Sequence, residues 1–311
     1  MFGLFDFFNL LINGVVPVSF ICFFGFFLGK KNFFEVVEAN IILKFVGLVA
    51  VPAMSADIIL KLDFANINFP LYIKYLITEL TLYFFGFITA KKFFKSKMTE
   101  AILIGASASF ANHVLYVYPI AILEFPFSQI NSIITIMAMD VLLLSLTILL
   151  LDLASITDLS LVKLIKKQSV NPPLLGLIIG LIIILIPYDL PAGIERTFEF
   201  ISLSAAPCAL FALGIILSKK IKLDQLKIAV FITFLRLIVH PIFAIVIILI
   251  LGGHLIEDSR TTLMVAAAPV GLMAFTFAPK YDVRTEAIAL SILWTFIASL
   301  LLIPIVGILQ I

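Results

Sequence analysis

Apolar stretches long enough to cross a lipid bilayer follow one another along almost the whole chain, separated by short polar connections. A membrane helix needs roughly 20 consecutive apolar residues. Windows of this kind can be placed ten times. They are residues 9–29, 41–60, 71–90, 101–124, 132–153, 173–188, 198–218, 228–251, 261–278 and 287–309. The pattern predicts an all-α polytopic membrane protein with ten transmembrane segments.

The basic residues in the connections give an independent check on this count. Connections after the odd-numbered segments hold fifteen Lys and Arg residues, whereas the alternate connections and both termini hold only Lys61, Arg196 and Arg260. Cytoplasmic loops of membrane proteins carry the excess of Lys and Arg. We therefore expect a multi-pass protein of the cell membrane (inner or plasma membrane) with both termini on the extracytoplasmic side.

Proline positions indicate that the chain consists of two related halves. Pro52 and Pro207 are 155 residues apart, and Pro119 and Pro269 are 150 residues apart. Each half contains five predicted segments, an odd number, so the second half must enter the membrane from the opposite side. The sequence therefore predicts two inverted five-helix repeats.

This repeat divides the chain into three regions. The first repeat covers 1–155, a Lys-rich cytoplasmic connector covers 156–172, and the second repeat covers 173–311. Apolar segments resemble one another by composition alone. The division into repeats therefore rests on the proline offsets and the alternation of charge, and not on overall sequence similarity between the halves.

The fourth and ninth segments are each interrupted near the middle of the membrane. The fourth carries Asn112, His113 and Pro119, and the ninth carries Pro269. Proline removes a backbone hydrogen bond and clashes with the preceding turn, so we expect the fourth segment to kink or unwind between Asn112 and Pro119. Irregular backbone persists at that depth only where it faces protein or a water-filled cavity. Paired interrupted helices in matching halves indicate the binding site of a secondary transporter.

Unwound backbone in both segments would form an anion site without a cationic side chain, because amides at a helix N-terminus carry a partial positive charge. Asn112 would donate a further hydrogen bond to a small carboxylate; alternatively, it only holds neighbouring helices together. His113 could relay a proton, or its ring is satisfied by a carbonyl that the break sets free.

Three charged residues lie deep within other predicted segments: Glu79 in the third, Asp140 in the fifth and Arg236 in the eighth. Glu79 and Arg236 belong to equivalent segments, at mirrored depths of about 12 Å. A charge at that depth is costly without a partner or water, so each is a candidate for coupling or charge pairing. Asp140 could pair with Arg236, carry a proton or take part in purely structural pairing.

Composition narrows the class of protein further. The chain is 63% hydrophobic and 13% charged, with a mean hydropathy of +1.23, which excludes a water-soluble globule. No Cys or His cluster has the spacing of metal ligands, and no glycine-rich phosphate loop is present in the sequence. We therefore expect no cofactor, no bound metal and no nucleic-acid partner.

Several stretches resemble the auxin efflux carrier family, which holds the plant PIN transporters and bacterial permeases for malate, malonate and similar acids. The strongest is AAAPVGLMAFTFAPKYDVRTEAIALSILWTF at 266–296, similar to the family's crossover proline, turn and final helix. Supporting stretches are VPAM at 51–54, VNPPLLGLIIG at 170–180 and AAPCALFALGIIL at 205–217. The resemblance spans the whole length of the chain.

The resemblance implies a homodimer of subunits with a fold like those of sodium–proton antiporters and bile-acid carriers, in which the fourth and ninth helices cross at their prolines. It also implies an elevator mechanism, with segments 3–5 and 8–10 sliding against a scaffold of segments 1, 2, 6 and 7. The substrate-binding residues implied are Asn112, His113, Pro119, Pro269, Val270 and Gly271. The family's first crossover resembles Asn-x-Gly-x-x-Gly-x-Pro, whereas this chain has bulkier residues in place of the glycines. The bulkier residues would narrow or reshape the cavity beside the anion site, which affects which substrate fits.

The predicted function is secondary transport of a small organic carboxylate anion, not an enzymatic activity. The nearest alternative is a sodium- or proton-coupled carrier of the bile-acid-carrier or sodium–proton antiporter type. Such a carrier should cluster several acidic or amide ligands at the crossover, where the sequence offers Asn112, Ser107, Ser109 and Thr276. An intramembrane enzyme would need many catalytic acids or histidines near one membrane face, whereas the cytoplasmic connections are short and mostly Lys.

Overall fold

The computed structural model describes residues 4–62, 64–155, 172–186, 191–220, 222–251 and 257–308, and its regular elements are helices. Its helices are α1 (Leu4–Lys30), α2 (Val36–Lys61), α3 (Phe69–Lys92), α4 (Met98–Ser109), α5 (His113–Glu124), α6 (Phe127–Ser155), α7 (Pro172–Leu185), α8 (Ala192–Leu217), α9 (Leu226–Ile250), α10 (Glu257–Ala266), α11 (Leu272–Phe277) and α12 (Glu286–Gly307). The predicted connector lies outside the described residues except for Pro172.

Seven of the described helices are long and apolar enough to cross a membrane, namely α1, α2, α3, α6, α8, α9 and α12. Helices α5 and α7 are apolar but shorter. The predicted fourth segment corresponds to α4 and α5, and the predicted ninth segment corresponds to α10 and α11. The protein is therefore an all-helical, multi-pass membrane protein.

Helices α2 and α3 begin before their apolar windows because polar side chains cap their first turns. At the start of α2, the Glu35 carboxylate accepts from the amide of Glu38, while the Glu38 carboxylate accepts from the amide of Glu35 at 2.8 Å. At the start of α3, the side-chain oxygen of Asn68 accepts from the Leu71 amide at 3.1 Å. Such caps satisfy N–H groups that have no partner within a helix.

Four wide π-helical turns interrupt the regular winding of the helices. They are Leu10–Val15, Val46–Ala50, His113–Val117 and Leu235–Val239. The second residue after each turn is a proline, namely Pro17, Pro52, Pro119 and Pro241. Because proline has no N–H and its ring clashes with a carbonyl one turn earlier, a wider turn accommodates it without breaking the helix.

The chain divides into two compact units. Unit 1 consists of Met1–Phe20, Asn66–Ile133 and Lys220–Ile311. It holds the first part of α1, all of α3 to α5, the start of α6, and α9 to α12. Unit 2 consists of Ile21–Ala65 and Ile134–Lys219, and it holds the remainder of α1 and α6 together with α2, α7 and α8.

Glycines let the helices of unit 2 approach each other closely. A Cβ atom on Gly176 of α7 would lie 2.0 Å from the carbonyl oxygen of Pro52 on α2. A Cβ atom on Gly214 of α8 would lie 2.0 Å from the carbonyl oxygen of Cys22 on α1. Helices in lipid associate through such small residues because no hydrophobic driving force brings them together.

The substitution Gly176→Ala tests this packing. The added methyl group would force α7 away from the backbone of α2, and we expect a loss of about 1–3 kcal/mol of stability. This loss should lower the thermal unfolding temperature in detergent. Gly47→Ala on α2 is the control, because nothing lies within 4 Å of a Cβ atom there. Equal unfolding temperatures for the two variants would contradict close packing at Gly176.

Candidate functional site

Unit 1 contains two interrupted helices. Helix α4 ends at Ser109, and Phe110 is extended, with φ −72° and ψ 125°; helix α5 then begins at His113. Helix α10 ends at Ala266 and helix α11 begins at Leu272. Each predicted segment therefore contains a short length of open backbone.

The two breaks pair with each other through their backbones. The Asn112 amide donates to the Pro269 carbonyl at 2.8 Å, and the Gly271 amide donates to the Phe110 carbonyl at 2.9 Å. Between these hydrogen bonds, Ala111 and Val270 form an antiparallel bridge. Each unpaired backbone group costs several kcal/mol in a hydrocarbon interior, so this pairing allows the open backbone to persist.

The position of the first break differs from the prediction. Sequence reasoning placed a kink or an unwound stretch between Asn112 and Pro119. The open backbone ends at Asn112, and the interval up to Pro119 is helical with one wide turn. The π-helical turn His113–Val117 accommodates the proline instead. In the second break the expectation matches the geometry more directly, because Pro269 itself lies in the open backbone.

The guanidinium group of Arg236 lies at the ends of both first half-helices. Its Nη1 donates to the Ser109 carbonyl at 3.1 Å, at the end of α4. Its Nη2 and Nε donate to the carbonyls of Val265 and Ala268 at 2.7 and 3.0 Å, at the end of α10. The last carbonyls of a helix carry a partial negative charge, which a cation stabilises. Arg236 is fully buried, and its hydrogen bonds hold the ends of both half-helices.

Helices α3 and α9 run antiparallel in this region. Tyr75 stacks on His240 with ring centroids 5.8 Å apart, while Phe85 contacts Phe231 with centroids 6.2 Å apart. Glu79 lies one turn after Tyr75, and Arg236 lies one turn before His240. This register places Glu79 at the level of Arg236, although the two residues are far apart in the sequence.

Two further contacts connect this pair to the breaks. The Ser109 hydroxyl donates to the Glu79 carbonyl at 2.8 Å, so one residue contacts both the Glu79 backbone and Arg236. The Val270 amide donates to the Thr295 hydroxyl at 3.0 Å, which ties the second break to α12. The breaks are therefore held by side chains of α9 and α12 and by the backbone of α3.

Asn112, a predicted site residue, has an unsatisfied polar atom. Its side chain is 4% exposed, and among the described residues its Nδ2 has no hydrogen-bond partner. A buried donor left unsatisfied costs about 1–3 kcal/mol. This cost favours a ligand that accepts a hydrogen bond at the break.

The remaining predicted residues divide between the two units. The His113 ring nitrogen Nδ1 lies 3.2 Å from the Ala111 carbonyl, which corresponds to the interpretation that a freed carbonyl satisfies the ring. A proton-relay role for His113 stays a prediction. Asp140 is buried on the part of α6 that belongs to unit 2, and its pairing with Arg236 also stays a prediction.

Sequence reasoning did not identify three residues that the structure places around the breaks, namely Tyr75, Thr295 and His240. The available signal was spacing, because Arg236 and His240, like Tyr75 and Glu79, are four residues apart and so share one helix face.

Comparison with known proteins identifies the family of the chain. The model of the membrane transport protein family matches residues 10–151 and 138–306, which together cover most of the sequence. The chain belongs to this family. It is the auxin efflux carrier family that the sequence resembles, so the predicted resemblance is confirmed.

One relative of this family member carries a substrate in its name. A protein of Rhizobium meliloti (strain 1021), named "Putative malonate transporter", is 24% identical over 135 residues. The aligned stretch covers 43% of this chain and 42% of the relative, so it spans less than half of either protein.

Substituting Arg236 by Lys tests its role at the half-helix ends. A lysine keeps the charge but is a point donor that cannot reach all three carbonyls in the planar geometry of a guanidinium group. We expect a loss of at least about 2 kcal/mol, because buried carbonyls are left without donors.

The measurement is the thermal unfolding temperature in detergent, with Lys227→Arg at an exposed position of the same helix as the control. The control should change stability by no more than about 0.5 kcal/mol. An Arg236→Lys protein as stable as the native one would show that these hydrogen bonds do not hold the breaks.

Proposed function

We propose that this family member is a secondary transporter that moves a small organic carboxylate anion across the cell membrane. The observation that carries the proposal is the buried Nδ2 of Asn112, which has no partner in the described part of the chain and lies where the two breaks pair. A carboxylate oxygen would accept a hydrogen bond from this amide. The first amides of α5, at the positive end of that helix, add a favourable field.

The charge arrangement supports an anion rather than a sodium ion as the ligand. In carriers with broken helices, cations bind to unwound carbonyls and to the negative ends of half-helices. Here the carbonyls of Ser109, Val265 and Ala268 already accept from Arg236. A sodium ion would have to displace a buried guanidinium group from these carbonyls, so the sodium-coupled alternative is the weaker proposal.

The surroundings of the first break support a small substrate. Val114 and Val117 stand where the family pattern has glycines, and Val117 is fully buried. Large side chains leave less room beside the site. Because the relative carries the name "Putative malonate transporter", malonate is the first carboxylate to test.

The proposed architecture is ten transmembrane segments in two inverted five-helix repeats, with the fourth and ninth segments crossing at their breaks. The backbone pairing of Ala111 with Val270 supports this crossing. The proposed protein is a homodimer with both termini outside the cytoplasm. The alternation of basic residues between successive connections supports this orientation.

Alternating access is proposed to follow an elevator mechanism. In this proposal, segments 3–5 and 8–10 slide as one body that carries the site, and segments 1, 2, 6 and 7 form the scaffold. Unit 1 holds α3 to α5 and α9 to α12, whereas unit 2 holds α2, α7 and α8, which supports most of this division. Helices α1 and α6 contribute to both units.

Uptake of labelled malonate into proteoliposomes tests the substrate class. The purified protein should accumulate malonate above protein-free vesicles, and excess unlabelled small carboxylates should compete. Imposed pH, sodium and voltage gradients, applied one at a time, identify the driving force. Movement of a cation or lipid without any organic anion would contradict the proposal.

Removing the Asn112 side chain tests the site itself. We expect Asn112→Ala to reduce malonate uptake at least about tenfold, because a hydrogen bond to a charged group contributes about 1.5–3 kcal/mol. Asn112→Asp has the same size but repels an anion, so it should also lose uptake.

Asn13→Ala, at an exposed position of α1, is the matched control and should transport normally. Thermal unfolding of all three variants separates a loss of binding from a loss of folding. Normal uptake by a folded Asn112→Asp protein would remove Asn112 from the site.

A further inference from the structure

A second buried polar atom lies behind the breaks, on the imidazole ring of His240. The ring is fully buried, and within the described residues its Nε2 has no hydrogen-bond partner. Its Nδ1 contacts Nη1 of Arg236, the same nitrogen that donates to the Ser109 carbonyl. The proposed anion site does not use His240, although Arg236 contacts both its ring and the ends of both half-helices.

A hydrogen bond from Arg236 to Nδ1 requires a neutral His240 ring. A guanidinium group only donates, so Nδ1 must accept, and the neutral ring carries its proton on Nε2. A proton added to Nδ1 would remove the acceptor and place two cations against each other. Protonation of His240 and its contact with Arg236 therefore exclude each other.

We infer that His240 is a proton-binding residue that couples protons to the geometry of the two breaks through Arg236. When Nδ1 takes up a proton from water, one N–H bond forms and the hydrogen bond from Arg236 is lost. The repelled guanidinium group then makes weaker hydrogen bonds to the carbonyls of Ser109, Val265 and Ala268. The anion-binding backbone becomes freer to rearrange when the proton is bound.

Charge balance gives this coupling a direction. A protonated His240 beside the guanidinium group of Arg236 adds one positive charge next to the breaks. An anion in the adjacent breaks would compensate that charge and favour simultaneous binding of the anion and the proton. The expected mode is therefore transport of the carboxylate together with a proton in the same direction.

The other ionisable groups around the ring are few in the described part of unit 1. Tyr75 and Glu79 face it from α3, Arg236 lies on its own helix, and α10 carries Arg260 in its first turn. His113, at the start of α5, interacts electrostatically with Arg236. Helices α4 and α12, which pack against the turn before His240, have their acidic residues, Glu100 and Glu286, in their first turns.

Two measurements on His240→Gln test the inference, and the first does not depend on any substrate. Glutamine keeps an acceptor for Arg236 but does not titrate between pH 6 and 8. Hydrogen exchange of the break amides, corrected for the intrinsic effect of pH, should become faster at pH 6 than at pH 8 in the native protein. This difference should be lost in His240→Gln and kept in the control Lys227→Arg, at an exposed position of the same helix.

The second measurement is malonate uptake, and it rests on the proposed function. Native uptake should increase when the outside is acidified, by up to about tenfold per pH unit for one coupled proton. His240→Gln should lose this dependence. Because ionisation of malonate itself affects both proteins equally, the difference between them reports on position 240.

The outcomes separate the inference from the proposed function. pH-dependent exchange that requires His240, without uptake of any carboxylate, would overturn the proposed function and keep the proton-binding role. Malonate uptake with the same pH dependence in both proteins would overturn the proton-binding role alone. If His240→Gln does not fold, malonate uptake by the native protein still tests the inference. Native uptake that does not change under an imposed pH gradient would contradict proton coupling.

Discussion

Backbone polar groups cannot remain unpaired in a lipid hydrocarbon interior, and the site in unit 1 depends on how this constraint is met. Two helices open where regular winding would have satisfied their amides and carbonyls. The open strands satisfy each other through the antiparallel pairing of Ala111 and Val270. The half-helix ends that remain are satisfied by the buried guanidinium group of Arg236. One charged side chain thus makes two helix breaks compatible with burial.

The same arrangement determines which charge the site favours. The negative half-helix ends are occupied by Arg236, whereas Asn112 and the amide end of α5 remain as donors. A site with donors and a nearby cation favours an acceptor-rich, negatively charged ligand. The proposed carboxylate substrate and the proposed proton on His240 both follow from this distribution of charge. The carboxylate would accept hydrogen bonds from Asn112 and the first amides of α5. The proton would bind Nδ1 of His240, which contacts Arg236.

Much of this architecture could be predicted from the sequence. Hydropathy located the membrane helices, and the prolines of the fourth and ninth segments identified the elements that open. The location of the first opening could not be predicted, because a helix can accommodate a proline either by a break or by a wider turn. Pro119 follows a π-helical turn, whereas Pro269 lies in open backbone. Local sequence does not distinguish these outcomes, since tertiary contacts decide where unpaired backbone finds partners.

The role of Arg236 was equally hidden from the sequence. A buried arginine predicts a partner, and acidic residues such as Asp140 were the natural candidates. Its contacts within unit 1 include backbone carbonyls, which every residue carries and no pattern reveals. The sequence offered one usable signal, the four-residue spacing of Arg236 and His240, which places both side chains on one face of α9.

The most direct test of the account is a cryo-electron microscopy structure of the protein in lipid nanodiscs with malonate bound. The account predicts ligand density within hydrogen-bonding distance of the Asn112 side-chain amide. The two breaks should be paired, and Arg236 should contact the ends of α4 and α10. Continuous helices through both positions, or malonate bound away from the breaks, would contradict it.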